Sequence, residues 1–509
     1  MKKLAIAIVD ENKLLTIRLK LFLIQEELGS VKTYRSINEL LEEKTGFDLT
    51  ILKEEIFDYS LFEKLPDTIF LLISDEVKNT ENSKIFYIDT NFTNAELKQE
   101  ISIISFLKNY EKEVEEKNNK LKEALAYITN QEEMAANKQL NMIFDNMSFK
   151  KIENYYFDNY YSPKDKLSGD SYIAWHIDDK IYIVIIDAMG KGISASLTST
   201  LTSGIGNYIL QNNNSLKNFL ENYIEYIKKI LLDDEALCMT IFKLDLKCNE
   251  IEIANFGMPP IYIKKDYEVE KILTNNYPIL KSSKREIVID TYKKDFDMIL
   301  ISSDGLIESA NKEGIPYFAN LKSILPKTDF LREIIKDFKQ NAIQDDDTTV
   351  YAIIKQQNNY EIIYEKSFFF SSKKDLDNII HEIDVKLNED ETTKQKFYLI
   401  FQEIFLNIFE HAYRKNYDKQ EILQKNQDFS DIKGEIHIKI CKNEEYFNII
   451  IKDQGRGFDV TNILKLENRN NFKRFHRRGL LVLLNIVCGL FFEDNGRIVH
   501  TFIRRKNGN

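Results

Sequence analysis

The chain has 509 residues, more than one hydrophobic core usually organises, so about three domains are expected. Hydrophobic residues make up 43% and aromatic residues 12%, enough for packed cores and too many for global disorder. Lys and Arg number 70 against 81 Asp and Glu, a net charge of −11, which argues against the basic footprint of a general nucleic-acid binder. The four cysteines, Cys238, Cys248, Cys441 and Cys488, form no C-x-x-C pair, which argues against a secreted disulfide scaffold and a structural zinc site. The opening MKKLAIAIVDENK stops at Asp10 and Glu11 without a small-residue cleavage site, and reads as a first strand rather than a signal peptide. No apolar stretch approaches the roughly 18 residues of a membrane span. A cytoplasmic protein with neither a nucleic-acid nor a membrane partner is expected.

Residues 1–105 alternate short apolar runs, at 4–9, 31–34, 49–52, 69–73 and 85–88, with amphipathic segments such as Lys13–Leu28. That alternation predicts a parallel sheet with helices on both faces. The pattern, with Asp10 and Glu11 just after the first strand, resembles a response-regulator receiver, a flavodoxin-like fold. Receivers carry their phosphorylated Asp at the end of the third strand, where this chain has Lys53, and a lysine after the fifth strand, where it has Thr90. Ser74 fits the family's Ser/Thr after the fourth strand. The resemblance therefore implies a pseudo-receiver, with Lys53 setting an ammonium beside Asp10 and Glu11 as a permanent ion pair.

Residues 106–148 are highly charged and lack Gly and Pro. Leu107, Val114, Leu121 and Ile128 fall seven apart, with Leu125 four after Leu121. This predicts a helical linker able to pair as a coiled coil in a homodimer.

Residues 149–356 read as a β-rich domain with strands at 181–186, 239–244, 250–254 and 298–301. Four acidic positions stand beside small residues: Ser168-Gly169-Asp170, Asp187-Ala188-Met189-Gly190-Lys191-Gly192, Ser303-Asp304-Gly305 and Asp345-Asp346-Asp347-Thr348-Thr349. An Asp at the end of a buried strand projects its carboxylate into a cleft, and hard divalent cations take such oxygen ligands. Paired cations can generate a hydroxide and neutralise a phosphoryl group. The run Asp187 to Leu197 resembles the D-x-M-G-K-G-x-x-A signature of bacterial metal-dependent protein phosphatases of the 2C superfamily (PPM), in the subgroup that regulates sporulation and stress sigma factors. Asn255-Phe256-Gly257-Met258-Pro259-Pro260, Asp304-Gly305-Leu306-Ile307-Glu308 and Asp346-Asp347-Thr348-Thr349 resemble its other motifs. Met258 stands where the family usually has His. The resemblance implies a β-sandwich with flanking helices, two Mn²⁺ or Mg²⁺ ions, and serine/threonine phosphatase activity. Asp187 would bridge the ions, the Ala188 carbonyl would bind one of them, Asp304 and Asp346 would complete the second, and Asp170 would support the site.

Residues 360–509 predict helices at 373–388 and 391–413 and strands at 435–441, 447–452 and 498–504. Glu403, Asn407 and His411 follow at i, i+4 and i+8 and share one helix face. Asp453-Gln454-Gly455-Arg456-Gly457 follows a strand, and Gly479 opens an apolar helix, where free N–H groups suit phosphates. Together these resemble the GHKL (Bergerat) ATPase α/β sandwich, closest to the anti-sigma-factor serine kinases. By resemblance, Asp453 would hold the adenine amino group and Gly455 and Gly457 would shape the pocket. Asn407 would bind Mg²⁺, Gly479 would meet the phosphates of Mg-ATP, and Glu403 would act as general base.

The expected whole is multidomain, α/β and α+β, and bifunctional. The phosphatase would remove a phosphate from a STAS-type anti-sigma-factor antagonist and the kinase would restore it, with a sigma factor as a further partner. The alternative is an interaction protein with phosphatase activity only, whose ATPase-like domain sequesters a partner.

Overall fold

The computed structural model describes residues 3–43, 46–78, 82–211, 215–284, 286–369, 373–387, 389–408, 435–457, 460 and 478–505. It divides into two compact units, 1–130 and 131–509. Among the described residues no helix is long and apolar enough to cross a membrane.

In the first unit, strands Leu4–Val9, Gly29–Tyr34, Leu49–Lys53, Ile69–Ser74 and Ile85–Asp89 form one parallel sheet. Their spatial order is second, first, third, fourth, fifth, the doubly wound arrangement. Leu19 and Leu23 of helix Lys13–Gln25 pack on one face together with Leu97, Ile101 and Ile104. Leu40 and Leu61 cover the other face. No ion pair links Lys53 to Asp10 or Glu11 among the described residues. Its neighbour Glu54 instead accepts from the Ser74 hydroxyl at 2.5 Å and the Lys78 ammonium at 2.6 Å. The reason is local: Lys53 ends its strand, and the turn Glu54–Ile56 brings the next side chain to the fourth strand.

The linker is longer than its charge pattern suggested. One 48-residue helix, Asn94–Asn141, begins at a Thr93/Glu96 capping box and buries Leu97, Ile101 and Ile104 against the first sheet. The joint expected near residue 106 therefore falls inside a helix. Further along, Leu121, Leu125 and Ile128 are 53–58% exposed.

In the second unit two sheets, of seven and six strands, stack face to face. Ile181, Ile183 and Ile185 of one sheet meet Phe157, Ile299, Ile301 and Tyr351 of the other, the interdigitation expected of a sandwich. Helices Ile193–Gln211 and Leu216–Ile230 cover the outer face of the first sheet. Helices Phe318–Ile324 and Leu331–Asn341 cover that of the second. Inside the second sheet's flank, the Arg332 guanidinium forks onto the Asp158 carboxylate at 2.7 and 3.0 Å with both side chains buried.

The remaining sheet is antiparallel and five-stranded, in the order Glu361–Phe369, Glu435–Lys442, Tyr446–Lys452, Ile498–Arg504, Gly489–Glu493. Helices Lys373–Leu387, Glu391–Asn407 and Arg478–Ile486 cover one face. The other face packs on the sandwich. Phe502 lies 4.6 Å from Phe330, and Phe491 lies 4.7 Å from Tyr156, centroid to centroid. The Phe492 amide donates to the Phe149 carbonyl at 2.7 Å. Lys151 pairs with Glu493 at 3.1 Å and Arg504 with Glu333 at 3.0 Å. The boundary expected between residues 356 and 360 thus separates two sheets that share a packed seam.

Candidate active site

Carboxylates from both sheets meet at one end of the sandwich. In strand Lys180–Ala188, alternate residues of the run IYIVII pack into the inter-sheet core and under the helices. Asp187 stands at its end, directly opposite Asp170 of the antiparallel strand Asp170–Ile177. On the second sheet, Asp304 opens helix Asp304–Glu308 after strand Met298–Ser302. Asp346 precedes the neighbouring strand Thr348–Lys355. A Cβ on Gly305 would stand 1.9 Å from the Asp347 carbonyl oxygen, so only glycine lets these two segments approach this closely.

Hydrogen bonds divide the labour among the acids. The Thr349 hydroxyl donates to Asp170 Oδ2 at 2.7 Å, and the Thr349 amide donates to Ser303 Oγ at 2.9 Å. Asp347 accepts from the amides of Lys164 and Gly169, at 2.8 and 2.6 Å, so it braces the Ser168–Asp170 loop. Asp346 meets the Lys191 ammonium at 3.2 Å and is the member of the 345–347 run whose charge is felt at both Asp187 and Asp304.

The crowding shows in the titration of these groups. Burial first, then the charges of Asp304 and Asp346, raise Asp187 to about 7. Burial, then Glu308 and Asp346, raise Asp304 to about 6. Asp170 is buried against Asp187 and pushed well above the carboxylate range. As placed, no three His, Cys, Asp or Glu side chains converge tightly enough to grip an ion among the described residues. The donor set nevertheless fits a divalent cation: several oxygen ligands, half-buried, raising one another's proton affinity. Asp187, Asp304 and Asp346, whose charges act on one another, are the carboxylates that could hold it.

Three contributors had no role assigned in the sequence: Glu308 and Thr349, which lie within the quoted motifs, and Gln139, which lies outside them. Glu308, one turn after Asp304 on the same helix face, adds a further carboxylate; the i, i+4 spacing was the available signal. Thr349 fixes Asp170. Gln139, buried near the end of the long helix, donates to the Ser168 carbonyl at 2.7 Å and accepts from the Ser168 amide at 3.1 Å. Nothing in its sequence context distinguishes it from the other polar residues of that helix. Met258 is a buried member of the inter-sheet core, and Asn255 holds its turn by accepting from the Met258 amide and donating to the Pro259 carbonyl, both at 2.9 Å.

In the C-terminal domain, Glu403 and Asn407 sit half-buried on one face of helix Glu391–Asn407. Ile404, Phe405 and Ile408 are buried on the other side. His411 lies outside the described residues. Asp453 follows strand Tyr446–Lys452 and accepts from the Gly455 amide at 2.6 Å, and burial raises its carboxyl. Gly457 has φ of +70°, and a Cβ there would stand 2.1 Å from the Asn495 carbonyl oxygen. Gly479 is buried in the first turn of helix Arg478–Ile486, which packs in the same core as helix Glu391–Asn407.

Residues 177–355 match the family model for Stage II sporulation protein E (SpoIIE). Phosphoserine phosphatase RsbP of Bacillus subtilis (strain 168) is 30% identical over 127 residues, which are 24% of this chain and 31% of that protein. The chain therefore spans less than a third of the curated relative it matches. Among solved structures, the RsbU and RsbW domains of a Mycobacterium tuberculosis protein align at 14% identity and a TM-score of 0.37, covering 71% of this chain and 96% of theirs. The SiaA-PP2C domain of Pseudomonas aeruginosa aligns at 17% identity and a TM-score of 0.40, covering 46% and 99%. The similarity to SpoIIE therefore falls on the middle of the chain.

Proposed function

We propose that the protein is a metal-dependent serine/threonine phosphatase acting on a small phosphoprotein antagonist of the STAS type in a partner-switching pathway. The observation that carries this reading is the meeting of Asp170, Asp187, Asp304 and Asp346 at one end of a sandwich whose sequence matches SpoIIE. A bound pair of Mn²⁺ or Mg²⁺ ions would supply a nucleophilic hydroxide and charge neutralisation. The chain's own part is positional. Thr349 and Ser303 hold Asp170, and Asp347 ties the Ser168–Asp170 loop to the second sheet. Gly305 lets Asp304 come close to the Asp346 segment. The Lys191 ammonium is the nearby cation able to meet a phosphoryl oxygen once it leaves Asp346.

For the C-terminal domain we propose an ATP-dependent serine kinase of the GHKL type. Asp453 would read adenine, Asn407 would bind Mg²⁺, Gly455, Gly457 and Gly479 would surround the nucleotide, and Glu403 would accept the serine proton. In support, Glu403 and Asn407 share one helix face, and Gly457 occupies a conformation that suits glycine. The first unit is read as a pseudo-receiver whose helix pairs in a homodimer, with a sigma factor as downstream partner.

The test is hydrolysis of a phosphoserine peptide with and without Mn²⁺ or Mg²⁺. Asp187→Asn and Asp304→Asn should each lower the rate on the order of 10³-fold while the fold persists by circular dichroism. Full activity after EDTA treatment would reject the metal-dependent reading.

A further inference from the structure

Between the sandwich and the C-terminal sheet lies a groove of about 800 Å³, within the size range of ligand-binding clefts. Both domains build it: helix Leu331–Asn341 on one side, the start of helix Glu391–Asn407 and the end of helix Arg478–Ile486 on the other. Its charge runs against the rest of the molecule. In a chain of net charge −11, Arg332, Lys336, Lys339, Lys396, Arg504 and Arg505 line it, with Glu333 and Asp337 as the acids among the described lining residues.

The two acids are already engaged. Glu333 accepts from Arg504 at 3.0 Å and from the Tyr446 hydroxyl at 2.8 Å. Asp337 accepts from the Tyr317 hydroxyl and the Asn341 amide, both at 2.9 Å. Arg332 is likewise committed to Asp158. Lys336 and Lys396, one from each domain, have no ion pair among the described residues. Arg505 donates from Nη1 to the Asn443 carbonyl at 2.6 Å and reaches Glu389 only at 3.8 Å, and its Nε is buried without a hydrogen-bond partner among the described residues. Ile324, Ile335, Leu484, Ile486 and Val487 add apolar lining, beside the amides of Gln340 and Asn485.

We propose that this groove is a docking site for an acidic, apolar-studded segment of a protein partner, which would bind both domains at once. Carboxylates of the segment would meet Lys336, Lys396 and Arg505, and its aliphatic side chains would cover the isoleucine and leucine surface. Charge complementarity of this kind gives specificity and a fast, salt-sensitive association. A nucleotide is the poorer fit, because none of the described residues that line the groove is aromatic and able to stack on a base. The site goes beyond the phosphatase and kinase readings, since it uses none of the residues assigned to either.

The experiment uses the full chain and a fluorescein-labelled peptide of alternating Glu-Glu and Leu-Leu pairs, twelve residues long, read by anisotropy. Saturable binding is expected, weakening with added salt and weakening about tenfold or more in Lys336→Glu/Lys396→Glu. The phosphatase rate of the double variant should match the wild type, which shows that it folds. No binding by the wild type, or equal binding by wild type and double variant, would overturn the proposal. So would an ATP or single-stranded oligonucleotide competitor that displaces the peptide from the wild type.

Discussion

The acidic end of the sandwich and the polar face of the C-terminal domain are supported in different ways. Asp170 and Asp187 sit opposite each other in a ladder, and Asp304 and Asp346 flank two paired strands of the facing sheet. Their spacing is therefore fixed by backbone pairing on both sheets. Glu403 and Asn407 depend on one helix, while Asp453, Gly455 and Gly457 lie on the segment that leaves a strand. A ladder tolerates little local change without losing the site, whereas a helix face and a loop can be altered one residue at a time. Substitutions should reflect that difference: those that disturb the sandwich should act on the whole unit, and those on the helix face should act on chemistry alone.

The largest expected effect is Arg332→Ala. It removes the forked ion pair from the buried Asp158 carboxylate, which costs about 3–5 kcal/mol. The Arg332 guanidinium also lies 5.0 Å from the Phe149 ring, and Phe149 accepts the backbone bond from Phe492. Chemical unfolding of residues 131–509 should shift to lower denaturant as one transition. Two separated transitions in the wild type would show that the sandwich and the C-terminal sheet are independent, contrary to the shared seam.

Next in size are the helix-face variants. Asn407→Ala should weaken Mg-ATP binding by calorimetry. Glu403→Gln should keep binding but slow transfer to a protein serine by roughly 10²-fold, because only the proton acceptor is removed. Equal transfer by Glu403→Gln and wild type would remove Glu403 from the role of base. No measurable ATP binding by the wild type would favour a domain that only holds a partner.

The smallest effects should come from the helix that enters the sandwich. Gln139→Ala removes both hydrogen bonds to Ser168, two residues before Asp170. A severalfold change in phosphatase rate is expected, by the scale of one or two lost hydrogen bonds, about 1 kcal/mol each. Leu121→Asp/Leu125→Asp should convert the proposed homodimer to monomer in light scattering, since it places charge on the exposed apolar stripe. A wild type that is already monomeric would end the coiled-coil reading.

The sequence was most legible where burial is continuous. The run IYIVII marked strand Lys180–Ala188 to within two residues, because a strand buried on both faces has no polar interruption. The Asp-Gly pair at 304–305 marked a strand end because a side chain at 305 would meet the neighbouring backbone. The start of the long helix was not legible. Leu97, Ile101 and Ile104 belong to the first sheet's core, while the charged residues after them continue the same helix, so composition changes where the backbone does not. The seam was hidden for another reason: Phe330, Phe491 and Phe502 look like core residues of their own domains, and pattern alone cannot say that they meet. The two-residue strands Phe144–Asp145 and Lys151–Ile152 are too short to carry any periodicity.

The sandwich's carboxylates are proposed to hold a divalent cation. Calorimetric titration of Mn²⁺ into the full chain tests it without relying on turnover. Wild type should bind with release of protons near pH 6–7, because Asp187 and Asp304 titrate at about 7 and about 6 and must give up protons to the ion. Asp187→Asn should lose most of that binding while unfolding at a similar temperature. Mn²⁺ binding of undiminished affinity in Asp187→Asn would contradict the account.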